Sequence, residues 1–131
     1  MKIELNTLLM SRQTLRILGN AKGLSSVVAY RISKNIKAIN KEVAFYEESR
    51  IKLLEEHSHK DDEGKAIIFD NTYDIIDGHM EIVNKELDEL RKEEVELDIK
   101  KINVEDIDKA ELSPFELGTL EFMFDFKEEE N

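Results

Sequence analysis

The sequence predicts an α+β domain that is mostly α: a long antiparallel helical hairpin with shorter helices and a small two- to three-stranded sheet beside it. Three observations carry this expectation. Between Ser26 and His57 apolar residues recur in steps of three and four, at Val28, Ile32, Ile36, Ile39, Val43, Tyr46, Leu53 and Leu54. That spacing places one apolar stripe along a helix of about nine turns, roughly 48 Å long. A second stripe, Ile76, Met80, Val83, Leu87 and Leu90, steps by 4, 3, 4 and 3, a coiled-coil-like heptad match. Finally, Lys2–Leu5 and Glu94–Ile99 alternate apolar with charged residues, the period of a half-buried strand.

The elements follow in chain order. Ile3 and Leu5 share one face of a first strand, and Asn6 is the expected N-cap of a helix over Thr7–Leu18. Gly19-Asn20 ends that helix, Gly23 permits another turn, and Ser25 or Ser26 caps the long helix. His59–Lys65 is polar and turn-like, and Ala66–Phe69 is β-prone. Asp70-Asn71-Thr72 is then expected to open the second helical region, although Gly78 weakens its first turn. The strand Glu94–Ile99 can pair with Lys2–Leu5, and Asn103–Asp108 reads as a short helical turn. Ser113-Pro114-Phe115-Glu116 is a capping box with Pro at the first helical position, opening a last helix to about Phe124. Residues 1–126 are expected to form a single domain, with 127–131 as an acidic tail.

Composition narrows the function classes. A chain of 131 residues with 40% apolar and 37% charged content suits one soluble, helix-rich domain. No apolar run is long enough to span a bilayer, and the opening residues lack a basic region followed by an apolar run, so a cytoplasmic location is expected. The absence of cysteine removes disulfides, thiolate zinc sites and thiol nucleophiles from consideration. Net charge is −11 and unevenly spread: residues 1–60 carry 11 Lys/Arg against 6 Asp/Glu, whereas 61–131 carry 8 against 24. Two readings follow. The acidic half folds back over the basic face of the long helix (Arg31, Lys34, Lys37, Lys41), or it presents an acidic surface to a basic partner. Direct nucleic-acid binding by the whole molecule is disfavoured, because phosphate meets net repulsion.

Catalytic signals are absent from the pattern. There is no Gly-rich phosphate loop, no nucleophile elbow and no supported Ser-His-Asp set, so a non-enzymatic protein without cofactor is expected. Setting Gly64 at the sixth position of a calcium loop puts Asp61, Glu63 and Asp70 at the third, fifth and twelfth. His59 then stands first and Ala66 eighth, so a tight acidic turn is the better reading and no metal is expected. His57 and His59 read as histidines at a helix end, with His79 far away in sequence. The partner-binding candidates are the acidic residues Glu105, Asp106, Asp108 and Glu111 together with Phe122 and Phe126. They combine carboxylate charge with part of an aromatic set, Phe115, Phe122, Phe124 and Phe126, that cannot all fit one helix face and so leaves aromatic surface exposed.

Four segments carry a resemblance: the opening Met1–Asn6, VAYRISKNIKAI at Val28–Ile39, EEVELDI at Glu93–Ile99 and LSPFELGTL at Leu112–Leu120. Together they resemble a family of small phage and prophage proteins of low-GC Gram-positive bacteria, defined by a domain of unknown function. The likeness spans residues 1–124 and is weakest over 58–82. It implies a phage origin and expression in the bacterial host cytoplasm, and it transfers no catalytic residue. The expected function is a non-enzymatic binding protein that occupies and modulates a host protein complex. A host-defence nuclease is one such target, in the manner of an anti-CRISPR protein whose acidic surface imitates DNA. The alternative is a homo-oligomeric phage structural or assembly protein.

Overall fold

One helix runs nearly the full length of the molecule, and everything else is arranged along it. The computed structural model describes residues 1–125. A strand β1, Lys2–Glu4, leads directly into α1, Leu5–Gly19, and a short loop leads to the long α2, Ser26–Glu56. A two-stranded hairpin follows, β2 (Ile68–Phe69) and β3 (Thr72–Tyr73), then α3, His79–Arg91, and β4, Glu94–Glu96. The chain closes with a 3-10 segment Val104–Ala110, the short α4 Pro114–Thr119 and a 3-10 turn Glu121–Met123. The fold is α+β and mostly α, with a long helix pair, shorter helices and two small antiparallel sheets.

The stripe on α2 does what its spacing requires. Val28, Ile32, Ile39, Val43 and Tyr46 are buried, and Ser25 caps the helix by accepting a hydrogen bond from the Val28 N–H. Both neighbours run antiparallel to α2. On α1, Gly19 lies against Ile36 and Arg12 reaches Glu47, so numbers fall on one helix as they rise on the other. On α3, Arg91 stands over the Tyr46 ring and His79 meets His57, the same signature further along. Thus α1 covers the middle of the stripe, from Ile36 onward, and α3 the last part. The remaining cover comes from the 97–124 segment, whose Leu97, Ile99, Ile102, Ile107, Leu120, Met123 and Phe124 belong to the same core.

Strand β1 pairs with β4 in the expected antiparallel sense, with Lys2 opposite Glu96, Ile3 opposite Val95 and Glu4 opposite Glu94. Backbone bonds continue the ladder at both ends, from Leu5 N to Glu93 O (2.8 Å) and from Leu97 N to Met1 O (2.9 Å). Asn35, wholly buried on α2, fixes the next stretch. Its amide donates to Lys100 O (2.8 Å) and its carbonyl accepts from Lys100 N (2.7 Å), replacing a strand partner for that backbone.

Four expectations need correction. Helix α1 starts at Leu5, with Glu4 rather than Asn6 at the N-cap, because the chain passes straight from strand to helix. Asp70-Asn71 does not open a helix. Both residues have positive φ (51° and 62°) and form the two-residue turn of the β2–β3 hairpin, a conformation that Asp and Asn tolerate. Helix α3 therefore begins only at His79, after Gly78 with φ 82°. The last helix stops at Thr119 instead of Phe124, whose extended backbone lies beside Ile102 as a parallel bridge. Finally, the acidic half covers the apolar stripe of α2 and not its basic face: Arg31, Lys34, Lys37 and Lys41 are all exposed.

Candidate functional site

The sequence-selected acidic residues sit on the 3-10 segment and its exit. Ile107 is buried and anchors the segment, leaving Glu105, Asp106, Asp108 and Glu111 exposed around it. None of the four forms an ion pair among the described residues, so their charge faces solvent. Glu111 adopts positive φ (54°) as the chain turns toward Ser113. There the capping box forms as the sequence requires: Ser113 Oγ accepts from Glu116 N (3.1 Å), and Glu116 Oε1 accepts from Ser113 N (2.9 Å).

The aromatic residues divide by their packing. Phe124 is buried, and Phe122 packs half-buried against the core while its carbonyl accepts from Lys101 Nζ (2.8 Å). Phe126 and the acidic tail 127–131 lie outside the described residues. The aromatic that stands out is Phe115, 76% exposed on the first turn of α4. With Thr7, Met10, Gly118 and Thr119 it lines a shallow, largely apolar recess of about 310 Å³. Helix α4 is seated on α1 by a 2.8 Å hydrogen bond between the Thr119 and Thr14 hydroxyls. Phe115 belongs to the aromatic set that the sequence marks as too large for one helix face, but the sequence singles out Phe122 and Phe126 from it.

A second surface runs along the outer side of α2. Tyr30, Lys34, Lys37, Lys41 and Phe45 recur in steps of three and four and are exposed, with Val27 at the upper end. Lys34 lies over the Tyr30 ring at 5.9 Å, and Arg31 donates to Lys101 O (3.1 Å). The lysine row was legible in the sequence; Phe45, one turn past Lys41, was not picked out there.

The histidines are rearranged relative to expectation. His59 is exposed, and Asp61 spends its Oδ1 on the backbone N–H groups of Glu63 and Lys65, both at 2.9 Å. This is the tight acidic turn that the spacing indicated. His57, at the C-cap of α2, instead meets His79 at the start of α3, with 3.0 Å between their Nδ1 atoms. The rings meet edge to face, their centroids 5.2 Å apart.

Two carboxyls are electrostatically tuned, both near β4. The N-terminal ammonium of Met1 hydrogen-bonds Glu96 at 2.7 Å and holds its carboxyl below the usual carboxylate range. The Lys100 ammonium does the same to Asp98 at 2.9 Å. The Met1–Glu96 pair joins the start of the chain to β4, whereas Asp98–Lys100 is a local pair just after that strand. Buried polar side chains are all spoken for: among the described residues no buried side-chain N or O lacks a partner. No described helix is long and apolar enough to cross a membrane.

The chain matches no protein-family model, no curated protein and no solved structure.

Proposed function

We propose that this chain is a non-enzymatic binding protein of phage origin that occupies and modulates a protein complex in the bacterial host cytoplasm. The observation that carries the reading is the acidic segment. Four exposed carboxylates, Glu105, Asp106, Asp108 and Glu111, are held on a short support pinned by one buried isoleucine, and none of them forms an ion pair among the described residues. Fixed like charge of this kind steers a basic surface into register and repels nucleic acid directly. A basic substrate channel of a defence nuclease has the complementary chemistry, with the carboxylates standing where DNA phosphates would lie. Phe115 supplies an aromatic anchor four residues further along the chain.

The test is affinity capture from host lysate with the tagged protein, beside a charge-reversed variant carrying Glu105→Lys, Asp106→Lys, Asp108→Lys and Glu111→Lys. Enrichment of one nuclease complex by the parent alone, with loss of its activity on adding purified protein, is the expected result. A nuclease left fully active by excess protein, or equal capture by both proteins, would sink the reading.

A second reading, a homo-oligomeric phage assembly protein, is favoured by the outer face of α2. It presents Val27, Tyr30 and Phe45 among lysines. One molecule therefore carries both an uncovered basic-apolar face and an acidic segment, the pair that a head-to-tail contact requires. Sedimentation equilibrium decides it: a strict monomer at high concentration removes this alternative.

A further inference from the structure

We propose that His57 and His79 form a two-imidazole site for a divalent transition-metal ion of the copper(II) and nickel(II) class. The geometry that points there is a pair of ring nitrogens held face to face by backbone that cannot easily part. His57 closes α2, and its carbonyl accepts from Ile76 N at 2.9 Å; His79 opens α3, and its N–H donates to Ile76 O at 2.9 Å. A single residue thus clamps both histidines. The strap between them is itself cross-linked, by His59 N to Asp74 O (2.8 Å), Ile67 N to His59 O (2.9 Å) and Asp74 N to Ile67 O (2.9 Å). Ser58, wholly buried, donates to Leu54 O at 2.6 Å and fixes the exit of α2. Ligand nitrogens placed this way lose little freedom when a metal arrives.

The distance suits two nitrogens on one metal ion. With metal–nitrogen bonds of about 2.0–2.1 Å, a tetrahedral pair of nitrogens sits about 3.3 Å apart and a right-angle pair about 2.9 Å apart. The observed Nδ1–Nδ1 distance of 3.0 Å, set here by the hydrogen bond between the rings, falls within this span, nearer the right-angle pair that tetragonal copper(II) and nickel(II) use. At present one Nδ1 must hold a proton for the other to accept. Binding moves that proton to Nε2, so that both Nδ1 lone pairs face the ion. Among the described residues no third His, Asp or Glu joins the pair. Water then completes the shell, and binding weaker than that of a closed four-ligand site is expected.

The experiment titrates untagged full-length protein with copper(II) or nickel(II) in a weakly coordinating buffer, by calorimetry, and records the copper(II) spin-resonance spectrum. The expected result is one equivalent bound, with nitrogen hyperfine structure from two imidazoles. His57→Ala and His79→Ala should each weaken binding at least tenfold, while His59→Ala stays within twofold. Circular dichroism confirms that each variant folds, and His79→Gln repeats the test with a polar side chain of closer size. No saturable binding up to about 1 mM metal, binding unchanged in His79→Ala, or an equal loss in His59→Ala would overturn the proposal.

Discussion

The two ends of α2 carry the same kind of stripe but are held in different ways. From Val28 to Tyr46 the stripe is buried under α1 and the 97–124 segment, and Asn35 bonds directly to the Lys100 backbone. Beyond Tyr46, Leu53 and Leu54 are only half-buried, and the cover is α3 and a two-stranded strap knit by backbone hydrogen bonds. Apolar area removed from water stabilises the first end. Closure of a loop on itself shapes the second, so the two ends should respond to different perturbations.

The largest expected effect comes from cutting the buried end. Ile39 is 0% exposed, and Ile39→Ala should cost about 3–4 kcal/mol, whereas Leu53→Ala should cost about 1 kcal/mol. Urea unfolding of both variants measures the contrast; equal losses would mean that the far end is packed as tightly as the near one. Next, Asn35→Ala leaves the Lys100 N–H and carbonyl without their partner and should cost about 2 kcal/mol. Amide exchange in that variant should quicken at Lys100 and leave the strap amides of Ile67 and Asp74 unchanged.

A smaller change is expected to act only at the strapped end. Asn71 sits at the second central position of a turn that demands positive φ, where glycine fits without steric cost. Asn71→Gly completes the Asp-Gly pair such turns favour and should stabilise the hairpin slightly, by less than about 0.5 kcal/mol because the freer unfolded chain offsets part of the gain, read as slower exchange at Ile67 and Asp74. Slower exchange at Lys100 as well would show that the two ends are coupled. The smallest effect is electrostatic. Glu96 and Asp98 titrate below the usual carboxylate range when folded, so their contribution is present above that range and fades as pH falls through the folded values. Glu96→Gln should therefore lower stability slightly near neutrality and leave it unchanged at the acid end, flattening the acid limb of a stability–pH curve.

Much of the near end was legible in advance. The step of three and four along α2, the Ser25 cap, the pairing of Lys2–Glu4 with Glu94–Glu96 and the Ser113 capping box all depend on residues close in sequence or on simple alternation. The acidic candidates Glu105, Asp106, Asp108 and Glu111 were likewise readable, since charge at a turn around one apolar residue stays outside. The strapped end was read less well. Asp70-Asn71 resembles a helix start as much as a hairpin turn, because the same short side chains satisfy backbone donors in either conformation.

Sequence alone determined which stretches coil, which alternate and where the caps lie, because periodicity and capping are decided within one or two turns of chain. Tertiary structure decided which faces stay uncovered. The basic row of α2 remained outside because burying it would strand ammonium groups from water, while the acidic half had a better apolar stripe to cover. Tertiary structure also decided that His57 meets His79 and not His59. That meeting depends on two helices running antiparallel and on a strap whose closure, through Ile76, involves contacts that no local pattern encodes.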